Sequence, residues 1–297
     1  MDTRLKKILT VFCCLMLTVV IYLYMCMVVT PKDITNSGGP LYYRGMGFMS
    51  EPKNSIDVMV YGNSDVYSGF IPAKLVEKYG YSAYASGRAN QTVGEAVNLL
   101  GDTLKTQTPK VVILETDCFF TNEKRVKLDT GNILLAPFVY HSRWKEISFR
   151  DFHDIPNRKN VIDLNKGFIP SNLTFDADEY KDYMADKGKP AAKITDKNMK
   201  AISKFVNICK DNNIAIIFLE LASPSSWNYS KHKGVSQVAE ELEVPFVDMN
   251  MPLKGYNMNL DTDFRDNGNH MNTVGASKAT ESIGALLSEN YKDLLVE

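Results

Sequence analysis

The chain has little histidine and little tryptophan, four and two residues in 297, and its charges nearly cancel to a formal net charge of −1. A chain so close to neutral exerts no bulk attraction on nucleic acid, so no nucleic-acid partner is expected. Cysteine is also sparse. Of the five, Cys13, Cys14 and Cys26 fall in an N-terminal apolar run, leaving Cys118 and Cys209 elsewhere. No Cys/His spacing suits a zinc ion, and the contexts of Cys118 (a strand end) and Cys209 (a helix) give no reason to expect a bridge. Both are read as buried free thiols. No Gly-x-Gly-x-x-Gly follows a strand, which argues against a nucleotide-binding Rossmann protein. Internal repeats, heptads and low-complexity tracts are missing. Hydrophobic and charged contents of 44% and 23% are those of an ordinary globular chain.

The most informative absence is local. From Ile8 to Val29 no residue is charged, a run of 22 residues dominated by Leu, Ile, Val, Met, Cys and aromatics. As a helix it would reach across a hydrocarbon core of about 30 Å. Arg4, Lys6 and Lys7 precede it, which favours a cytoplasmic tail over 1–7, a transmembrane anchor over 8–29 and the rest of the chain outside. A cleavable signal peptide would have a shorter apolar region and a small-x-small cleavage site, which is not found here. The expected localisation is therefore a single-pass membrane protein with an extracytoplasmic domain.

Residues 30–54, with Pro31, Gly38, Gly39, Pro40, Gly45 and Pro52, read as an irregular stalk. Beyond it, strands and helices alternate. Strands are expected over 56–61, 81–86, 110–115, 214–221 and 245–248, and helices over 71–78, 92–104, 195–212, 235–242 and 273–289. Near-continuous apolar strands such as Lys110–Glu115 (KVVILE) are those of a parallel sheet buried on both faces. The expected fold class is α/β, a three-layer parallel sheet over 55–297. Between about 117 and 195 the alternation lapses into a stretch rich in aromatics and charges. A structureless loop of that length is improbable in a compact domain, so it is read as an inserted, lid-like region. Emerging beyond a strand's carboxyl end, such an insertion would sit over the ligand crevice.

Two segments carry chemistry. Tyr61-Gly62-Asn63-Ser64-Asp65 follows the first strand and can present the Ser64 hydroxyl beyond the sheet, with backbone N–H groups nearby for a developing oxyanion. Taken alone, this tetrapeptide also reads as a turn with a helix cap. Asp263-Phe264-Arg265-Asp266-Asn267-Gly268-Asn269-His270-Met271-Asn272 precedes the last helix. Its His270 is a candidate general base, because an ordinary imidazole pKa of about 6.5 lets it accept and return a proton near neutrality. Asp266 could orient that ring. Taken alone, this second segment also reads as a solvated loop.

Together, a Gly-x-Ser-Asp block after the first strand and an Asp…His-x-Asn…Gly block before the last helix resemble the SGNH (GDSL-like) hydrolase superfamily over residues 56–290, the insertion apart. The resemblance implies a flavodoxin-like sheet, Ser64 as nucleophile, His270 as base, Asp266 as the third member and no metal or other cofactor. Gly87, in Ser86-Gly87-Arg88-Ala89-Asn90, would match the second-block glycine as an oxyanion donor. Two positions depart from the family pattern. Three residues rather than two separate Asp266 from His270, leaving Asp263 or no acid at all as alternatives. The third strand ends Leu114-Glu115-Thr116-Asp117 without the usual Asn, for which Asn90 of the neighbouring loop would be the substitute. One anchor helix ahead of this layout resembles DltD-type and related envelope proteins that work beside membrane-bound O-acyltransferases. Tyr140-His141-Ser142-Arg143-Trp144-Lys145 is similar to a segment of that group and reads as a substrate-facing lid, in which Arg143 beside Trp144 could grip an anionic polymer, as an interaction surface, or as an ordinary amphipathic helix start packed on the domain. The implied activity is that of a serine esterase or O-acyltransferase on a cell-envelope polysaccharide or teichoic-type polymer. A non-catalytic partner of a membrane-bound O-acyltransferase complex is the alternative.

Overall fold

The structure is a computed structural model, described here for residues 2–30, 45–121, 133–139, 144, 147–153 and 163–296. It divides into two compact units. The first joins the N-terminal residues 1–39 to residues 123–161; the second holds residues 40–122 and 162–297.

In the first unit, helix α1 (Thr3–Val29) is long and apolar enough to cross a membrane. Part of the insertion packs on it. The Tyr22 hydroxyl donates to the Leu134 carbonyl at 2.5 Å and the Tyr24 hydroxyl to the Phe152 carbonyl at 2.9 Å. A short helix, Ala136–Val139, follows Leu134.

The second unit is a three-layer α/β domain. Strands β1 (Val58–Gly62), β2 (Ala83–Gly87), β3 (Val111–Glu115), β4 (Ala215–Glu220) and β5 (Phe246–Asp248) form one parallel sheet in the order β2-β1-β3-β4-β5. This is the flavodoxin-like order, whose reversal point lies at β1 and β3. The pleat sends alternate side chains to opposite layers. Met59, Tyr61, Val112, Leu114 and Phe218 pack with Val97, Leu100 and Phe205. Val58, Val60, Val111, Ile113 and Leu219 pack with Val66, Leu75 and Ile283. Helices α2 (Val93–Thr103), α3 (Asp196–Asp211) and α4 (Tyr229–Leu242) cover the first face. Pro72–Tyr79 and α5 (Thr273–Asn290) cover the second. Thr92 and Glu95 close a capping box that starts α2, and Thr195 caps α3. Cys118 and Cys209 are buried and free.

Two expectations are corrected. Residues 45–54 are not an exposed stalk: Phe48 is fully buried with its ring edge against Tyr84, and Ser86 Oγ donates to the Gly45 carbonyl at 2.6 Å. Phe48, with Met46 and Met49 packed against the same core, supplies the apolar area that the Gly and Pro content conceals. The insertion, in turn, is not one element. Residues 133–153 belong with α1, whereas 163–195 are integral to the sheet domain. There the Ile169 N–H donates to the Tyr67 carbonyl at 2.8 Å and the Phe175 N–H to the Phe264 carbonyl at 2.8 Å. Residues 31–44, the rest of the predicted stalk, lie outside the described residues.

Candidate active site

β1 ends at Gly62 because nothing larger fits there: a Cβ would stand 2.5 Å from that of Glu115. The chain then turns into a six-residue helix, Ser64–Gly69, which was not foreseen from the sequence. Asn63 caps it, its Oδ1 accepting the Asp65 N–H at 2.8 Å. Ser64 is the one residue from Tyr61 to Phe70 that is not buried. As first residue of the helix, its N–H has no acceptor within the helix and is free to face an incoming oxyanion.

The turn is held from beneath by carboxylates. Glu115 is fully buried and accepts the Asn63 N–H at 3.2 Å and the Asp117 N–H at 2.7 Å. Burial, followed by the negative charge of Asp117, pushes its carboxyl up to about 8. Burial also raises the Asp65 and Glu220 carboxyls, with Glu115 the next contributor in each case. Asp117 accepts from Asn63 Nδ2 at 2.9 Å and from Lys231 Nζ at 2.6 Å. It occupies the strand end where the family pattern would have Asn, and as a carboxylate it accepts hydrogen bonds rather than donating them to an oxyanion. Lys231 also lines a neighbouring cleft of about 360 Å³ with Phe120, Tyr183 and Tyr229. Among the described residues no group of three or more His, Cys, Asp or Glu converges as a metal ion would need.

The candidate base, His270, comes from a two-stranded antiparallel hairpin, Phe264–Arg265 with His270–Met271. Its turn runs through three consecutive left-handed residues, Asp266, Asn267 and Gly268, at φ of 52°, 57° and 71°. This turn absorbs the extra residue between acid and base. Asp266 Oδ2 lies 3.0 Å from His270 Nδ1. Asp263 is committed elsewhere: it is fully buried, accepting from Lys278 Nζ at 2.7 Å and from the Asn259 N–H at 2.8 Å. With Nδ1–H directed at Asp266, Nε2 of His270 carries the lone pair a general base needs. Burial lowers the His270 pKa; Asp266 opposes this and Arg265 adds to it. Arg265 bonds Asp266 through Nη1 and Ser68 Oγ through Nη2, the latter at 3.0 Å, and so ties the hairpin to the nucleophile helix.

Tyr67 joins the two halves and was missed in the sequence, where it is one aromatic among many. Its ring stacks on the His270 imidazole at 6.4 Å between centroids, and its hydroxyl lies near the Ser64 side chain. Burial raises the Tyr67 pKa, with the Ser64 contact opposing, so the phenol keeps its proton. Among the described residues Ser64 and His270 share no direct hydrogen bond; Tyr67 stands in contact with both. Catalytic hydrogen bonds of this kind often tighten only around substrate.

The remaining predicted site residues fall as follows. Gly87 lies against the nucleophile turn, where a Cβ would meet the Asn63 carbonyl oxygen at 2.7 Å and the Tyr67 nitrogen at 3.0 Å. Only glycine allows that approach. Asn90 is exposed in a turn after β2, in left-handed conformation at φ 53°. Arg143 lies outside the described residues.

No family model matches the chain, and no curated protein matches it. Solved structures similar to it include the esterase EstA from Pseudoalteromonas sp., 13% identical, over 81% of this chain and 100% of that one, with a TM-score of 0.40. The lipase/acylhydrolase from Enterococcus faecalis is 12% identical over 81% of this chain and 97% of that one, with a TM-score of 0.40. A GDSL-like lipase from Bacteroides thetaiotaomicron is 12% identical over 80% of this chain and 88% of that one, with a TM-score of 0.39.

Proposed function

We propose that the chain is a membrane-anchored serine esterase or O-acyltransferase of the SGNH kind, working outside the cytoplasm on an acylated envelope polymer. One observation carries the reading: a lone accessible serine at a strand-to-helix turn shares Tyr67 as a neighbour with a histidine whose Nδ1 is 3.0 Å from a carboxylate. Ser64 Oγ attacks the ester carbonyl carbon while its proton passes to His270 Nε2. The carbonyl electron pair moves onto oxygen, which the Ser64 N–H faces. As the carbon–oxygen bond to the leaving group breaks, His270 returns the proton to it. Water or a sugar hydroxyl, deprotonated by His270, then attacks the acyl carbon; the bond to Ser64 Oγ breaks and His270 returns the proton to Ser64. The apolar α1 supports the anchoring, and the basic residues ahead of it support the outward placement of the domain.

A second reading, a non-catalytic partner of a membrane-bound O-acyltransferase, draws on Asp117, which cannot serve as an oxyanion donor. Ser64→Ala separates the two. Hydrolysis of an activated aryl acetate by the full chain is expected to fall to background, a loss of at least about 10³-fold. A full chain that hydrolyses the ester equally well without the Ser64 hydroxyl would contradict the enzyme reading. A chain inactive in both forms, whose cellular role survives Ser64→Ala, would favour the partner.

A further inference from the structure

The exposed aromatic rings are not spread over the molecule. Among the described residues every exposed Phe and Trp lies on α1 or within 133–153. In that short segment Phe149 is 82% exposed, Trp144 67% and Phe138 58%, with Leu134 and Phe152 exposed beside them. The sheet domain exposes only isolated aliphatic side chains such as Val76, Leu173 and Val274. Scattered apolar residues are ordinary on a soluble surface, whereas a concentration of large aromatic ones marks an interaction surface.

The place where this segment meets α1 identifies what it touches. Tyr22 and Tyr24, which bind the carbonyls of Leu134 and Phe152, stand seven and five residues before the helix end at Val29. At about 1.5 Å per residue they lie roughly 10 and 7 Å back from that end. Cys26 Sγ contacts the Leu134 carbonyl as well, at 3.8 Å. A helix crossing a bilayer therefore carries 133–153 at the depth of the headgroup and upper acyl region. Interfacial segments bury their apolar faces about 5–10 Å into this zone, and Trp and aromatic rings gather there. Leu134 lies in the 3₁₀ turn Ile133–Leu135, which runs directly into the helix Ala136–Val139, and Phe149–Phe152 forms another 3₁₀ turn, so local bonds and the tyrosine hydroxyls satisfy carbonyls there.

We propose that residues 133–139, 144 and 147–153 form a monotopic lipid-binding platform that lies in the outer interface of the bilayer and clasps the end of α1. The ligand is the bilayer itself, at its headgroup–acyl boundary. The platform gives the chain a second membrane contact and is independent of the chemistry at Ser64.

The full-length protein reconstituted in vesicles of phosphatidylcholine and phosphatidylglycerol tests this. The Trp144 signal is isolated as the difference between wild type and Trp144→Phe, which leaves the buried Trp227 as common background. The expected difference spectrum is blue-shifted and quenched about twofold or more by lipid brominated near the headgroup end of its chains, and only weakly by aqueous acrylamide. Phe138→Ser with Phe149→Ser is expected to cut that lipid quenching by roughly half at unchanged far-ultraviolet circular dichroism. If brominated lipid leaves the Trp144 signal untouched, the proposal fails. With acrylamide access the segment then faces water; without it, the segment faces protein, such as a second copy of the chain.

Discussion

The Ser64 turn and the histidine hairpin supply the two halves of the proposed site by opposite means. Residues 61–70 are buried except for Ser64 and rest on Glu115 and Asp117, with Gly62 and Gly87 permitting backbone approaches no side chain would allow. The hairpin is two residues deep on each side, and the Asp266 side chain on its left-handed turn is 44% exposed. Ser64, the proposed nucleophile, is thus fixed by the fold, whereas His270, the proposed base, is fixed by a few polar contacts near solvent. Changes beneath Ser64 should act first on stability, and changes around His270 first on rate and pH dependence.

The sharpest way to probe the hairpin half is Asp266→Asn. It leaves the fold intact and removes the carboxylate that orients Nδ1–H. A buried triad carboxylate is worth about 10⁴ in kcat, and the exposure of Asp266 reduces the expected loss to roughly 10–10²-fold. The pH profile gives an independent readout. His270 must be unprotonated to act as base, and its pKa is lowered by burial, so the acid limb of kcat/KM lies below the ordinary imidazole value of 6.5. Asp266 opposes that lowering, so its loss moves the limb to still lower pH. A limb moving upward in Asp266→Asn would break the assignment.

Tyr67→Phe probes the joint between the halves. Phenylalanine keeps the ring on His270 and removes only the hydroxyl at Ser64. Loss of one side-chain donor should lower kcat about tenfold, with KM nearly unchanged. Unchanged kcat would reduce Tyr67 to a packing surface for the imidazole.

The smallest expected effect lies beneath the nucleophile. Glu115 binds its proton up to about pH 8 in the folded chain, against an ordinary 4.5 when unfolded. Its contribution to stability is therefore complete below pH 4.5 and is lost as pH rises through 8. Glu115→Gln lowers stability throughout, because the amide has one acceptor for the two N–H groups of Asn63 and Asp117, but it flattens the decline. Chemical denaturation of the two proteins at pH 5 and pH 8.5 checks the slopes. A steeper decline in the variant would contradict the buried neutral carboxyl.

Much of the sheet domain was legible in the sequence, for identifiable reasons. Val111–Glu115 and Ala215–Glu220 are the strands expected over 110–115 and 214–221, and the helices expected over 92–104 and 195–212 start at the caps Thr92 and Thr195. The helix Ser64–Gly69 was illegible because six residues give no periodicity. The first turns of α4, Tyr229–Gly234, were hidden by a polar, lysine-rich stretch ending in Gly234, whose Cβ would lie 2.4 Å from the Ala192 carbonyl oxygen. At the proposed site, Ser64, Asp266 and His270 were singled out because two segments, each ambiguous alone, together resemble the SGNH pattern. Tyr67, Arg265 and Glu115 could not be singled out, because their parts come from tertiary contacts: a ring stack, a guanidinium fork and two backbone N–H groups converging on one carboxyl.

The most direct test of the central claim is covalent. The full-length protein in detergent is treated with a fluorophosphonate, and the modified residue is located by peptide mass spectrometry. Modification at Ser64 alone is predicted, slowed by about 10²-fold or more in His270→Ala, because the hydroxyl needs a base to react. Modification at another serine, or an equal rate at Ser64 without the imidazole, would contradict the pairing of nucleophile and base across the two halves of the site.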